Sequence, residues 1–532
     1  MEIKILSNLA KVFPDKICNG YEIESVSCLK NGKTSFQIAV KTQEDENLTV
    51  SSPCKGAKIH SIGFVPVGLA GPKERDDYFL RDAKSGDYPD ILLPFDGTLS
   101  TKANEWTALW VELAPCGKKT GEKELTFNVG EREVKVKLII EDAELRDQTL
   151  MCTHWFHTDC LASHYGVEIF SEEHWRIIEN FMKYAVENGI NIILTPLFTP
   201  PLDTEVGGER PTVQLVDVKR PALGVYEFSF DKLKRWIDMA ERCGVKYFEM
   251  SHLFTQWGAS HAPKIMAQTP SGYKRIFGWE TNAHAKAYTN FLRAFAPKLI
   301  AFLKEEGIAD RCIFHSSDEP SKKDYFSYKK ATKIVRELFG EFKIIDALSE
   351  FAFYKRGLVH TPVTGIEEIE KFAGNVPELW TYYCCNPSWG NMPNRFIAMP
   401  SLRSRVLGFL MYKYDVKGFL HWGYNFYYTQ YSKAVADPYK MTDAGGAFSS
   451  GDSYVVYPAP DGTPYSSLRL SVFREAIEDF EALRLLEKKI GREATLKILQ
   501  DGLEKELTVR VYPHSEKWLI EKRKEINKLL AQ

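Results

Sequence analysis

The chain has 532 residues, and its 69 lysines and arginines against 71 aspartates and glutamates leave a formal charge of −2. A single hydrophobic core rarely grows beyond about 250–300 residues, so two or three domains are expected. Balanced charge, with no basic stretch interleaved with aromatics, excludes a nucleic-acid groove as the organising feature.

Residues 1–145 read as β. Thr34 to Lys41, Glu105 to Leu113, Glu124 to Phe127 and Glu133 to Leu138 alternate apolar and polar residues between Gly, Pro and Asn turns, the pattern of half-buried strands packed as a sandwich. From about 150 the rhythm changes to short apolar runs followed by amphipathic helices that stop at glycine. One helix runs from an N-cap at Ser171 through Trp175, Ile178, Phe181, Met182 and Ala185 to Gly189. Another runs from Ser229 through Leu233, Trp236, Ile237 and Ala240 to Gly244. Later helices are expected to end near Gly307, Gly340, Gly374, Gly418 and Gly491, the last of them beginning at Ser466 after a long loop that carries Asp452. Asp415 is expected on a helix.

The apolar runs ahead of these helices are Met151–His157, Asn191–Thr195, Tyr247–His252, Cys312–His315, Lys343–Ala347, Gly357–His360, Leu379–Tyr383 and Lys417–Trp422. Alternation at this spacing implies right-handed crossovers and a parallel sheet, and eight runs favour closure. The fold class is therefore α/β: an N-terminal β-sandwich (1–145), a (β/α)8 TIM barrel (146–490) and a helical tail (491–532).

Met1 to Ser7 lack the apolar core of a secretory leader, and no apolar run approaches the ~18 residues of a membrane span. A cytoplasmic location without a membrane partner is expected, although a trimmed secreted chain would read the same. The ten cysteines are scattered singly apart from Cys384-Cys385; lacking a C-x-x-C pair, they read as buried thiols.

Asp318-Glu319-Pro320 closes the fourth run, where a barrel of this kind does its chemistry. Neighbouring carboxylates face different ways, so they do not flank one bond as a nucleophile and an acid about 5 Å apart would. A helix-capping role competes with catalysis at this position. Around the other strand ends stand Trp155, His252, Trp257, His315, Tyr382, Tyr383, Trp389, His421, Trp422 and Asn425. Rings cover the apolar face of a pyranose while His, Asn and acids bind its hydroxyls, so the set reads as a saccharide pocket, for a small saccharide or a glycan terminus. The same aromatics could instead close the barrel top. No histidine pair forms H-x-x-x-H or H-E-x-x-H, so neither metal nor other cofactor is expected.

The seventh run ends in Tyr382-Tyr383-Cys384-Cys385, without the carboxylate that a retaining barrel glycosidase places there as nucleophile. Substrate-assisted catalysis remains: a 2-acetamido oxygen attacks the anomeric carbon. Glu319 serves as acid and then base, Asp318 orients the acetamido N–H and offsets the oxazolinium charge, and Tyr382 or Tyr383 holds the acetamido oxygen.

Three stretches, Asp318-Glu319-Pro320, Gly418 to Asn425, and Ser467 to Ala482, resemble glycoside hydrolase family 123 and the wider group of bacterial proteins around it. The resemblance implies a β-sandwich ahead of the barrel and a β-N-acetylgalactosaminidase using an adjacent Asp-Glu pair, here Asp318 and Glu319. The expected activity is a retaining exo-glycosidase for terminal β-linked N-acetylhexosamine, N-acetylgalactosamine first. The alternatives are a glycosidase for another sugar and a non-catalytic carbohydrate-binding protein on the same barrel.

Overall fold

The structure is a computed structural model that describes the chain except residues 16–19, 55, 114–118 and 386. Thr34–Lys41 and Trp106–Leu113 pair antiparallel, with Ile38 opposite Leu109. Their sheet has seven strands, in the order Glu2–Ser7, Thr34–Lys41, Trp106–Leu113, Ala57–Val67, Gly86–Pro94, Pro464–Ser467 and Tyr457–Pro458. A five-stranded sheet built on Gly121–Val129 and Arg132–Glu141 packs against it. Phe36, Ile38, Val40, Leu109, Val111, Phe127 and Leu138 fill the space between the two.

The last two strands of the larger sheet come from the far side of the barrel sequence. Ser466 and Ser467 pair with Leu92 and Ile91, so a segment next to the final barrel helix completes the sandwich. Arg469 of that helix (Leu468–Ile490) grips Asp90 with Nε and Nη2, both at 2.9 Å, and Tyr457 donates to the same carboxylate at 2.6 Å. Further along the same helix, Glu475 accepts from Asn8, Ser35 and Arg405, and Asp479 accepts from Arg405 and Arg523. The charged residues of the 467–482 stretch thus join sandwich, barrel and tail. A buried charge survives only when paired and hydrogen-bonded, and these are.

Eight parallel strands close the barrel in chain order: Met151–His154, Ile192–Thr195, Tyr247–Met250, Cys312–Phe314, Lys343–Ala347, Thr361–Gly365, Leu379–Tyr382 and Val416–His421. Ile192, Leu194, Ile313, Ile345, Val363, Trp380 and Leu420 fill its interior, making it a packed core and not a pore. Ser171 caps the helix Glu172–Glu187 by accepting from the His174 N–H, and Gly244 (φ 89°) ends Asp231–Cys243.

Three expectations need correction. Gly357–His360 is no strand: Gly357 (φ 66°) terminates the short helix Phe351–Lys355, and the sixth strand lies at Thr361–Gly365. Gly418 ends no helix; it sits within the eighth strand, where an added Cβ would come within 2.1 Å of the Trp380 ring. Only a glycine there lets Trp380 fill the barrel. Asp415 lies past the helix Leu407–Lys413, with φ 54°. Beyond Ile490 the chain forms Arg492–Gln500 and Glu516–Ala531, the latter packed against the five-stranded sheet. Among the described residues no helix is long and apolar enough to cross a membrane.

Candidate active site

A cavity open to solvent occupies the C-terminal rim of the barrel. Trp155 enters it from beyond the first strand, Gln256 and Trp257 from beyond the third, Asp318 and Glu319 from beyond the fourth. Ala347 comes from the fifth, Tyr382, Cys384 and Cys385 from the seventh, and Leu420 and Trp422 from the eighth. The loops after the second and eighth strands add Leu202, Asp203 and Phe448.

Asp346, on the fifth strand, sets the position of the acidic pair. Its Oδ1 accepts from the backbone N–H groups of Ser316 (2.6 Å) and Ser317 (3.1 Å), and its Oδ2 from the Tyr328 hydroxyl (2.7 Å). The chain then turns sharply: Glu319 adopts φ 44°, its N–H donates to the Ala347 carbonyl, and the Asp318 carbonyl accepts from Trp257 N–H. Trp257 (φ 56°) and Asp203 (φ 38°) are also left-handed. Three such non-glycine residues lining one cavity mark a place where strain is held in place by surrounding structure, as functional sites often do.

Burial and the neighbouring charges of Glu319, Asp346 and Glu249 raise the Asp318 carboxyl well above its ordinary range. Burial also raises Glu319, but the Tyr382 hydroxyl, donating to Oε1 at 2.7 Å, holds it back. Two acids this close titrate as a pair, and burial pushes the pair as a whole toward keeping a proton. Elsewhere in the lining, burial lifts Asp203 to about 6 although the Tyr431 N–H donates to its Oδ2 at 3.0 Å.

The aromatic walls are fixed from behind. Trp155 Nε1 donates to Glu249 Oε1 (2.7 Å), and His315 Nε2 meets the same oxygen at 2.6 Å. Trp422 Nε1 donates to Asp452 Oδ2 at 2.9 Å. His421 Nδ1 accepts from Arg395 and from the Gly423 N–H, which leaves the proton on Nε2, 3.4 Å from Asp452 Oδ1. Arg395 also reaches His154 and the Asp452 carbonyl.

Of the residues singled out from the sequence, Asp318, Glu319, Trp155, Trp257, Tyr382 and Trp422 share this cavity. The others stand apart from its lining. His252 and His315 stack at 4.3 Å behind Trp155. Tyr383 is fully buried against Phe419 and His421. Asn425 clamps the backbone of His157 from both sides, at 2.8 and 3.1 Å, and Trp389 lies under the Arg510 guanidinium. Asn386, grouped with the seventh strand end in sequence, lies outside the described residues. Asp203, Asp346, Arg395 and Phe448 were not expected; they lie in loops or strands without a motif to flag them. Among the described residues no three His, Cys, Asp or Glu side chains converge as metal ligands.

An acid held high in pKa beside a second carboxylate, in a cleft walled by three tryptophans and a tyrosine on a (β/α)8 rim, defines a glycoside hydrolase. The chain belongs to glycoside hydrolase family 123: that family's catalytic domain matches residues 155–486. A family 123 glycoside hydrolase from Clostridium perfringens, solved to detail glycolipid glycan hydrolysis, has the same fold. It superposes with a TM-score of 0.77 over 99% of this chain and 98% of its own, at 15% identity. A GH10 xylanase from termite gut with a bacterial Ig-like domain reaches only 0.34, over 70% of this chain and 90% of its own at 11% identity, too low to bear on the site. No curated protein matches the chain.

Proposed function

We propose that the chain is a retaining exo-glycosidase that removes terminal β-linked N-acetylhexosamine, N-acetylgalactosamine in the first instance, with the substrate's own acetamido group as nucleophile. The observation that carries this reading is the seventh strand end. It brings the Tyr382 hydroxyl to Glu319 and no carboxylate, while Asp318 and Glu319 sit together beyond the fourth strand.

The acetamido N–H approaches Asp318, whose carboxyl accepts no hydrogen bond from a described residue. Its anion is thereby stabilised, and the pair's proton is left to Glu319. Glu319 then protonates the leaving oxygen as the acetamido oxygen closes on the anomeric carbon. Asp318 faces the resulting oxazolinium charge, and Glu319, now a base, activates the water that opens the ring. Tyr382, whose single hydroxyl proton goes to Glu319 Oε1 before substrate enters, would turn that proton to the acetamido oxygen once Glu319 is protonated; Tyr383 is buried away from the cavity. Trp155, Trp257 and Trp422 offer apolar faces to the sugar ring.

Asp203 supports a second reading, because it is another carboxylate in the same cavity: a protein nucleophile. Chromogenic β-N-acetylgalactosaminide, N-acetylglucosaminide and galactoside, compared side by side, test the proposal. It requires cleavage of acetamido sugars and failure on the galactoside; equal rates on all three reject it. A glycosyl ester trapped on Asp203 would establish the second reading instead.

A further inference from the structure

We propose that Cys384 and Cys385 form a dithiol site in the cavity wall that captures trivalent organoarsenicals. The two side chains are adjacent in sequence, their Sγ atoms stand 4.0 Å apart, and both line the cavity beside Glu319 and Tyr382. Both are half-buried, whereas Cys28, Cys152, Cys160 and Cys312 are buried in the cores. A shared trivalent arsenic is pyramidal and holds its two sulfurs closer together than the 4.0 Å seen here, a gap that rotation of the two side chains about their Cα–Cβ bonds closes.

The choice of ligand follows from what is missing around the pair. Zinc and similar ions want three or four protein donors, and among the described residues no three His, Cys, Asp or Glu converge. A trivalent arsenic carrying its own carbon substituent needs two sulfurs and no more. Two S–H bonds and the arsenic–oxygen double bond break, two As–S bonds form, and both protons leave with the oxygen as water. Arsenic stays trivalent, so no oxidant or reductant takes part. Once one sulfur is bound, the second acts intramolecularly at an effective concentration in the millimolar range or above, which a competing monothiol does not easily match. The hydrogen bond with Cys385 and burial keep Cys384 a neutral thiol at pH 7, which disfavours reagents that need a single reactive thiolate. The adduct would stand against Glu319 and take up part of the cavity.

Intact-mass spectrometry after one equivalent of phenylarsine oxide tests this without reference to sugar specificity. The expected result is one adduct that survives excess 2-mercaptoethanol, is removed by 2,3-dimercaptopropanol, and maps to the peptide carrying both cysteines. Cys384→Ser and Cys385→Ser should each abolish it, while Cys243→Ser should retain it. An adduct stripped by the monothiol, or mapped to any other peptide of the wild-type chain, would overturn the proposal, as would its persistence in either serine variant.

Discussion

The hydroxyl of Tyr382 donates a 2.7 Å hydrogen bond to Oε1 of Glu319, linking the end of the seventh barrel strand to the loop beyond the fourth. It is the contact that opposes the upward pull of burial on that carboxyl. Tyr382→Phe removes it and keeps the ring. A hydrogen bond to a charged group contributes about 1.5–3 kcal/mol, so the Glu319 pKa should rise by about one unit or more. In the proposed mechanism Glu319 carries the proton for glycosidic cleavage, so the alkaline limb of kcat/KM should move to higher pH. Rate profiles of both enzymes measure this; a limb that stays put, or moves down, removes Glu319 from the acid role.

The two acids should fail differently. Glu319→Gln should lower kcat about 10²–10⁴-fold on an alkyl N-acetylgalactosaminide and far less on a dinitrophenyl one, whose leaving group needs no proton. Asp318→Asn should slow both substrates alike, because in the proposed mechanism the attacking amide loses its partner whatever the aglycone. A matched set of leaving groups reads this out, and identical slopes for the two variants would contradict the division of roles.

Glu319 holds φ 44° immediately before Pro320, a conformation that costs an L-residue about 1–2 kcal/mol. Made in the Tyr382→Phe background and compared with it, Glu319→Gly relieves that strain and removes a buried acid without orphaning a hydroxyl. The variant should therefore unfold at the same or a higher denaturant midpoint while losing turnover. A clear drop in midpoint would mean that the side chain supports the fold and is not held against its preference.

Asp452, beneath Trp422, is pushed up to about 7 by burial, against about 4 in an unfolded chain. Between those values the folded chain keeps a proton that the unfolded chain releases. The stabilising contribution of this group is complete below about pH 4 and is lost as pH rises to 7. Asp452→Asn cannot titrate, so its stability relative to wild type should improve steadily from pH 4 to 7 and then level off. Unfolding curves at four pH values decide it; a relative stability that falls with pH would falsify the assignment.

Much of the barrel was readable because each strand is a short apolar run followed by a helix with its own stop signal, as at Ser171 and Gly244. The sixth strand was misplaced because its Thr361-Pro362 opening lacks a strand pattern, while the apolar Leu358-Val359 just ahead belongs to a helix exit. Asp318 and Glu319 were visible because the loop that leaves a barrel strand opens on the C-terminal rim, and these acids follow the fourth apolar run within that loop. Histidines and Asn425 were harder: a polar residue at a strand end can face the cavity or the backbone behind it. Nothing in sequence distinguishes Asn425, clamping His157, from a hydroxyl ligand. Asp203 was invisible because a loop with no periodicity carries it across.

Asp90 and Arg469 lie 379 positions apart and are both sealed from water. The sheet they join borrows its last strands from the stretch leading into the final helix. The amino-terminal third of the chain is therefore not a detachable cassette. Excising it strands a guanidinium without a counter-ion and bares a ladder edge within a few residues of the loop that carries Phe448 and Asp452. Shuffling by recombination, whether in a genome or at the bench, must carry both ends of this polypeptide together.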